Sequence, residues 1–190
     1  MKRTCLSILV LFVIGLIPFV ANAEGLSLGE LGKLPAVDPI RSELVMNLVV
    51  TCSGPVKLGT STNSKDGTRE NAWPIIGGRF EGPGIRGTVI PGGADYPLMR
   101  RDGMMFIDAK YSLLTDDGVT IIIHNYGIGT NEKGVRKYRL TPEFWAPEGK
   151  YDWLNKSTFI CTLTFPAPKS VGLAKGPNEN DRLLQFYRIY

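Results

Sequence analysis

The stretch GGRFEGPGIRGTVIPGGADYPLMRRDGMMFIDAKYSLLTDDGVTIIIHNYG, residues 77 to 127, decides the fold. It holds two Asp-Gly pairs, Asp102-Gly103 and Asp117-Gly118, each set between segments in which apolar and polar residues alternate. Alternation with period two marks strands, and Asp-Gly between two such strands marks a tight hairpin. A β-meander follows.

If each Asp-Gly pair forms a two-residue type I′ turn, the registers follow by counting outward. The second turn sets Asp116 opposite Val119, Tyr111 opposite His124, Lys110 opposite Asn125 and Asp108 opposite Gly127. The first sets Arg101 opposite Met104, Tyr96 opposite Ala109 and Asp95 opposite Lys110. One face of the meander then carries Asp95, Lys110 and Asn125 in a row with Asp108 and Ser112 beside them. The other carries Tyr96, Ala109 and Tyr126, with Tyr111 and His124. A slip of one residue exchanges the two faces, and Pro97 is a place for a bulge.

Outward from the meander, further strands are predicted at 41–53, 75–82, 85–91, 95–101, 104–115, 119–128, 135–141, 157–165 and 182–190. That many strands leave exposed edges in an open sheet, and closure removes them. The expectation is an all-β domain, a single antiparallel barrel of calycin-like or similar small closed form, preferred over a sandwich. One short helical segment is expected near 142–155. Residues 57–74 are polar and rich in Ser, Thr, Asn and Gly, and read as a long loop of the kind that serves as a lid.

The N-terminus has a different character. Lys2 and Arg3 precede an apolar run from Leu6 to Val20, followed by Ala21-Asn22-Ala23. This is the pattern of a secretory signal peptide cleaved after Ala23. Gly15 and Pro18 interrupt the run, which is shorter than the roughly 18 to 20 residues of a spanning helix. The expected organisation is a signal peptide at 1–23, a flexible leader at 24–39 and a barrel domain at 40–190, exported to the periplasm or secreted. The formal charge of +4 falls to +2 without Lys2 and Arg3. Lys and Arg are scattered apart from Arg100-Arg101, which argues against a nucleic-acid partner. Charged residues and glycines on both faces of 77–91 and 135–141 argue against a membrane-spanning barrel. Self-association is left open.

Export leaves Cys52 and Cys161 in an oxidising compartment, either as a disulfide or as two buried thiols. The chain has one histidine, His124, and no metal-spaced cluster, phosphate loop or serine nucleophile elbow, so neither a metal nor another cofactor is expected.

The motifs GGRFEGPGIRG, GGADY, RRDG, DAKYSL, TDDG, HNYG and RLTPEFWAPEGKYDWLNKSTF resemble those of a family of small proteins of unknown function, DUF3237 or UPF0311. The resemblance spans about residues 40–190 and implies a small antiparallel barrel with a cavity and no established activity. Tyr96 stands where the family usually shows Trp.

Asp and Asn are disfavoured in mid-strand, so Asp95, Asp108 and Asn125 call for a reason. A polar-lined interior pocket supplies one: a small, partly apolar organic ligand held by Asp95, Tyr96, Asp108, Lys110, Tyr111, His124 and Asn125, and walled by Met99, Phe106 and Ile123. A mutually satisfied buried network is the plainer explanation. Acid–base catalysis on such a ligand is the alternative, with Asp108 or Asp95 as base and Lys110 or Tyr111 as electrophilic partner. A structural or interaction role in the envelope is a third.

Overall fold

The computed structural model describes residues 28–60, 62 and 67–190. The signal peptide expected at 1–23 lies outside the described residues, as does the start of the leader. Within the stretch before Pro39, Leu28–Leu31 forms one helical turn, α1. The region from Ile40 to Tyr190 is a second compact unit.

Its strands are β1 (Ser42–Cys52), β2 (Val56–Lys57), β3 (Gly67–Thr68), β4 (Asn71–Gly82), β5 (Ile85–Asp95), β6 (Leu98–Arg100), β7 (Met105–Thr115), β8 (Thr120–Glu132), β9 (Val135–Trp145), β10 (Thr158–Thr164) and β11 (Asn180–Ile189). Pairing runs β1, β4, β5, β7, β8, β9, β10, β11 and back to β1, every pair antiparallel. This closes an eight-stranded barrel with no free edge along the main circuit. β2 is added to β4, β6 to β7, and β3 to β6.

Period-two burial builds the wall. In β7, Ile107, Ala109, Tyr111, Leu113 and Thr115 are buried while the residues between them face outward. In β8, Ile121, Ile123 and Asn125 point in. Leu48, Leu113, Ile121, Ile123, Leu140 and Phe186 are fully buried, and Phe144 packs against Phe159 and Phe186 at ring-centroid distances of 5.1 and 5.8 Å.

Both hairpins turn over three residues, not two. Thr115 pairs with Val119 around Asp116-Asp117-Gly118, and Arg100 with Met104 around Arg101-Asp102-Gly103. Among these six residues positive φ occurs only at Gly118 (84°) and Gly103 (81°), whereas a type I′ turn needs it at the aspartates too. The geometry is that of a three-residue loop whose glycine takes the left-handed position. Each aspartate has a better use in that loop. Asp102 accepts the Met104 N–H at 3.1 Å. Asp117 accepts from Lys150 Nζ and the Tyr151 hydroxyl, both at 2.8 Å.

The extra loop residue shifts every pair by one position. Tyr111 lies opposite Ile123, Lys110 opposite His124, Ala109 opposite Asn125, and Asp108 opposite Tyr126. Asp95 pairs with Ala109, not Lys110. The expected row of Asp95, Lys110 and Asn125 on one face is therefore corrected. Asp95, Tyr111 and Asn125 face the interior, while Asp108, Lys110, His124 and Tyr126 face outward.

Two further expectations need adjustment. Residues 142–145 complete β9, and the helical part of 142–155 is a single 3₁₀ turn at Asp152–Leu154. The Asn155 side chain closes the loop before it by bonding the Ala146 N–H and C=O at 2.9 and 2.8 Å. Cys52 and Cys161 are buried free thiols, so the disulfide alternative is not realised.

Candidate functional site

The seven residues assigned to one pocket fall into three places. Asp95, Tyr111 and Asn125 lie within the barrel, where Asn125 is fully buried and Nδ2 donates to the Tyr111 hydroxyl at 2.7 Å. Asn125 Oδ1 has no hydrogen-bond partner among the described residues. Burial pushes the Tyr111 hydroxyl well above its ordinary pKa. Burial also raises the Asp95 carboxyl, opposed by a hydrogen bond from the Asp108 N–H and by the charge of Arg182. The void beside these groups is only about 20 Å³, room for one water and not for an organic ligand. The expected interior ligand pocket is therefore corrected to a packed core containing polar groups. Ile123, expected as a pocket wall, belongs to that core.

Lys110 is exposed on the outer face with Nζ 5.1 Å from the Trp145 ring centroid. Tyr96 is exposed as well, and contributes its backbone: its N–H donates to the Asp108 carbonyl at 2.9 Å, and its carbonyl accepts from Arg69 Nη1.

Asp108 and His124 stand together in an open cleft of about 810 Å³ on the outer face. The shifted register places them on the same face of adjacent strands, with His124 Nε2 2.9 Å from Asp108 Oδ1. The other carboxylate oxygen meets Arg69 Nη2 at 3.1 Å, and the Asp108 N–H donates through the wall to Asp95 Oδ1 at 3.1 Å. The Tyr126 ring lies 5.2 Å from the imidazole, centroid to centroid. Leu98, Phe106 and Tyr126 supply apolar wall. Arg100 pairs with Asp102 at 2.5 Å and lies over the Phe106 ring, while Arg101, also lining the cleft, has no carboxylate partner among the described residues.

Arg69 and Arg101 were not singled out from the sequence. Arg69 belongs to the 57–74 segment read as a lid, and that segment supplies the end of β2, all of β3 and the start of β4. The polar loop was therefore the available signal, but its one contact with Asp108 depends on β3 pairing with β6. Arg182 was missed too. It sits beside the inner cluster, 5.0 Å from both the Trp73 and Phe165 ring centroids.

Residues 40–173 match the family described as a protein of unknown function, DUF3237. The chain belongs to the DUF3237 family. A UPF0311 protein of Clostridium acetobutylicum is 29% identical over 161 residues, covering 77% of this chain and 92% of that protein. A crystal structure of a protein of unknown function from the same organism superposes with a TM-score of 0.66 at 29% identity, covering 82% of this chain and 100% of that one. A Penicillium herquei structure described as an enzyme has the same fold, with a TM-score of 0.60 at 22% identity and coverage of 83% and 99%. In this DUF3237 chain the barrel wall separates a packed, mostly apolar core containing a few polar groups from an open, arginine-bearing cleft.

Proposed function

We propose that this DUF3237 protein binds a small, partly apolar organic anion in the outer cleft. One observation carries the reading: Arg101, without a carboxylate partner among the described residues, shares a cleft of about 810 Å³ with Leu98, Phe106 and Tyr126. That volume lies within the range of about 300 to 1,000 Å³ typical of small-ligand sites, which pair apolar walls with a few placed polar groups. The ligand's anionic group meets Arg101 and its hydrocarbon or ring portion lies on the apolar wall. Asp108 and His124 form the polar end.

Titration calorimetry with aromatic and aliphatic carboxylates tests this. Saturable binding that weakens in Arg101→Ala, with the fold unchanged by circular dichroism, is the expected result. Failure of every carboxylate to bind at millimolar concentration, or equal binding by Arg101→Ala, overturns it. A second reading, acid–base chemistry on the bound molecule, is favoured by the 2.9 Å contact between His124 and Asp108. Export of the chain, proposed from residues 1–23, is checked by sequencing the N-terminus of the protein recovered from outside the cytoplasm; a start at Glu24 is expected.

A further inference from the structure

We infer that His124 is the general base of a proton-transfer site, positioned by Asp108, for organic anions carrying an acidic C–H beside a carbonyl. The inference rests on the cleft being the ligand site. It starts from how completely Asp108 is held. One carboxylate oxygen takes Arg69, the other takes His124 Nε2, and the Asp108 backbone N–H is tied to Asp95 beneath it. A carboxylate fixed in this way selects the imidazole tautomer with its proton on Nε2. The basic lone pair is then on Nδ1, which has no hydrogen-bond partner among the described residues. This is the relation by which a carboxylate orients a histidine base.

The rest of the cleft suits a carbon acid. Deprotonation beside a carbonyl places negative charge on the carbonyl oxygen, and fixed cations aimed at developing charge lower its energy. Arg69 and Arg101 line the same cleft as His124. Among the described residues the lining includes no Ser, Thr, Cys or Lys side chain, so a base and cations stand together there without a hydroxyl of Ser or Thr, a thiol or an amine. In the step itself the C–H bond breaks, its proton passes to His124 Nδ1, its electron pair forms the new C=C bond, and the π pair of the carbonyl moves onto oxygen to give the enolate. Return of the proton to oxygen gives the enol; return to carbon regenerates the ketone. The step is redox-neutral and needs no co-reactant.

The test uses the full chain with phenylpyruvate and 2-oxobutyrate in deuterium oxide, following loss of the proton signal next to the carbonyl by NMR, with binding measured separately by calorimetry. Saturable exchange at least about 10-fold above buffer is expected. His124→Gln should fall to the buffer rate while its affinity stays within about threefold, and His124→Asn serves if that variant does not fold. Asp108→Asn should lower kcat by about 10-fold or more with KM nearly unchanged, the split expected of a residue that acts through the imidazole. If the acids bind but exchange no faster than in buffer, or if His124→Gln exchanges like the parent, the base assignment is overturned while the binding reading stands. If neither acid binds, the inference falls, and the carboxylate titrations decide the binding reading independently.

Discussion

Replacing Tyr111 by Phe removes one oxygen from the barrel core and isolates the consequence of a single buried hydrogen bond. Tyr111 is 4% exposed and Asn125 0%, and the amide donates to the hydroxyl at 2.7 Å. In Tyr111→Phe the Asn125 amide loses its acceptor, in a side chain whose Oδ1 already has no partner among the described residues. Leaving a buried polar group unsatisfied costs about 1 to 3 kcal/mol, so about 2 kcal/mol is expected. Asn125→Leu should cost a similar amount, because it leaves the Tyr111 hydroxyl buried in apolar surroundings. The double variant makes both positions apolar, and the void of about 20 Å³ beside them gives the leucine room. Its cost should therefore be well below the sum of the single costs, with a coupling energy of about 2 kcal/mol. Urea denaturation reads this directly: for a slope of about 2 kcal/mol per molar, each single variant shifts the midpoint down by about 1 M. Additive losses in the double variant, or single variants within about 0.5 kcal/mol of the parent, would refute the reasoning.

Asp95→Asn tests a pH effect. The folded protein holds the Asp95 proton more tightly than the unfolded chain, whose ordinary value is 3.8, so this group withdraws stability as pH rises from about 4 to the folded value and contributes no change below that window. The variant should be more stable than the parent at neutral pH and lose the advantage in acid; parallel melting profiles across the pH range would refute this. Asp181 accepts from Thr51 Oγ1 at 2.7 Å and from the Leu173 and Ala174 N–H groups at 2.5 and 2.8 Å. Asp181→Ala should therefore cost about 2 to 4 kcal/mol and speed amide exchange across 166–179, with unchanged exchange there as the contrary result. Burial pushes the Cys52 thiol up to about 11 and the Cys161 thiol higher still. Neither should react with a thiol reagent in the folded protein, and both should react after unfolding without reductant; no reaction after unfolding would reveal a disulfide.

The barrel was legible because its evidence is redundant. Alternation along β7 and β8, the turn residues and the number of strands all point to the same closed sheet, and the observed strand bounds differ from the expected ones by a few residues. The site was much less legible because it hangs on a single integer. A two-residue and a three-residue loop at Asp117-Gly118 are written with the same letters, and the choice is made by Asp117 reaching Lys150 and Tyr151 more than 30 positions away. Asp102 makes its choice locally, through the Met104 N–H. Because side chains alternate with period two, that one residue sent Asp108 out and kept Asn125 in. Asp108 and His124 could each be named as candidates from the sequence, but their contact could not, since the two-residue register sets them on opposite faces. Arg69 was hidden for a related reason: its place beside Asp108 comes from the minor β3–β6 pairing, which a strand as short as the two-residue β3 does not announce.

The hydrogen bond from the Asp108 N–H to Asp95 has a consequence for anyone altering this protein. The partition between core and solvent is a single polypeptide thick, so a concealed carboxyl tethers the very peptide unit that bears the exposed one. Substitutions at position 95 are thus levers on the imidazole outside, even though no diffusing molecule could touch them. Directed evolution confined to visible surface positions would leave out Asp95, and libraries built here should sample inward-facing neighbours alongside the outward ones.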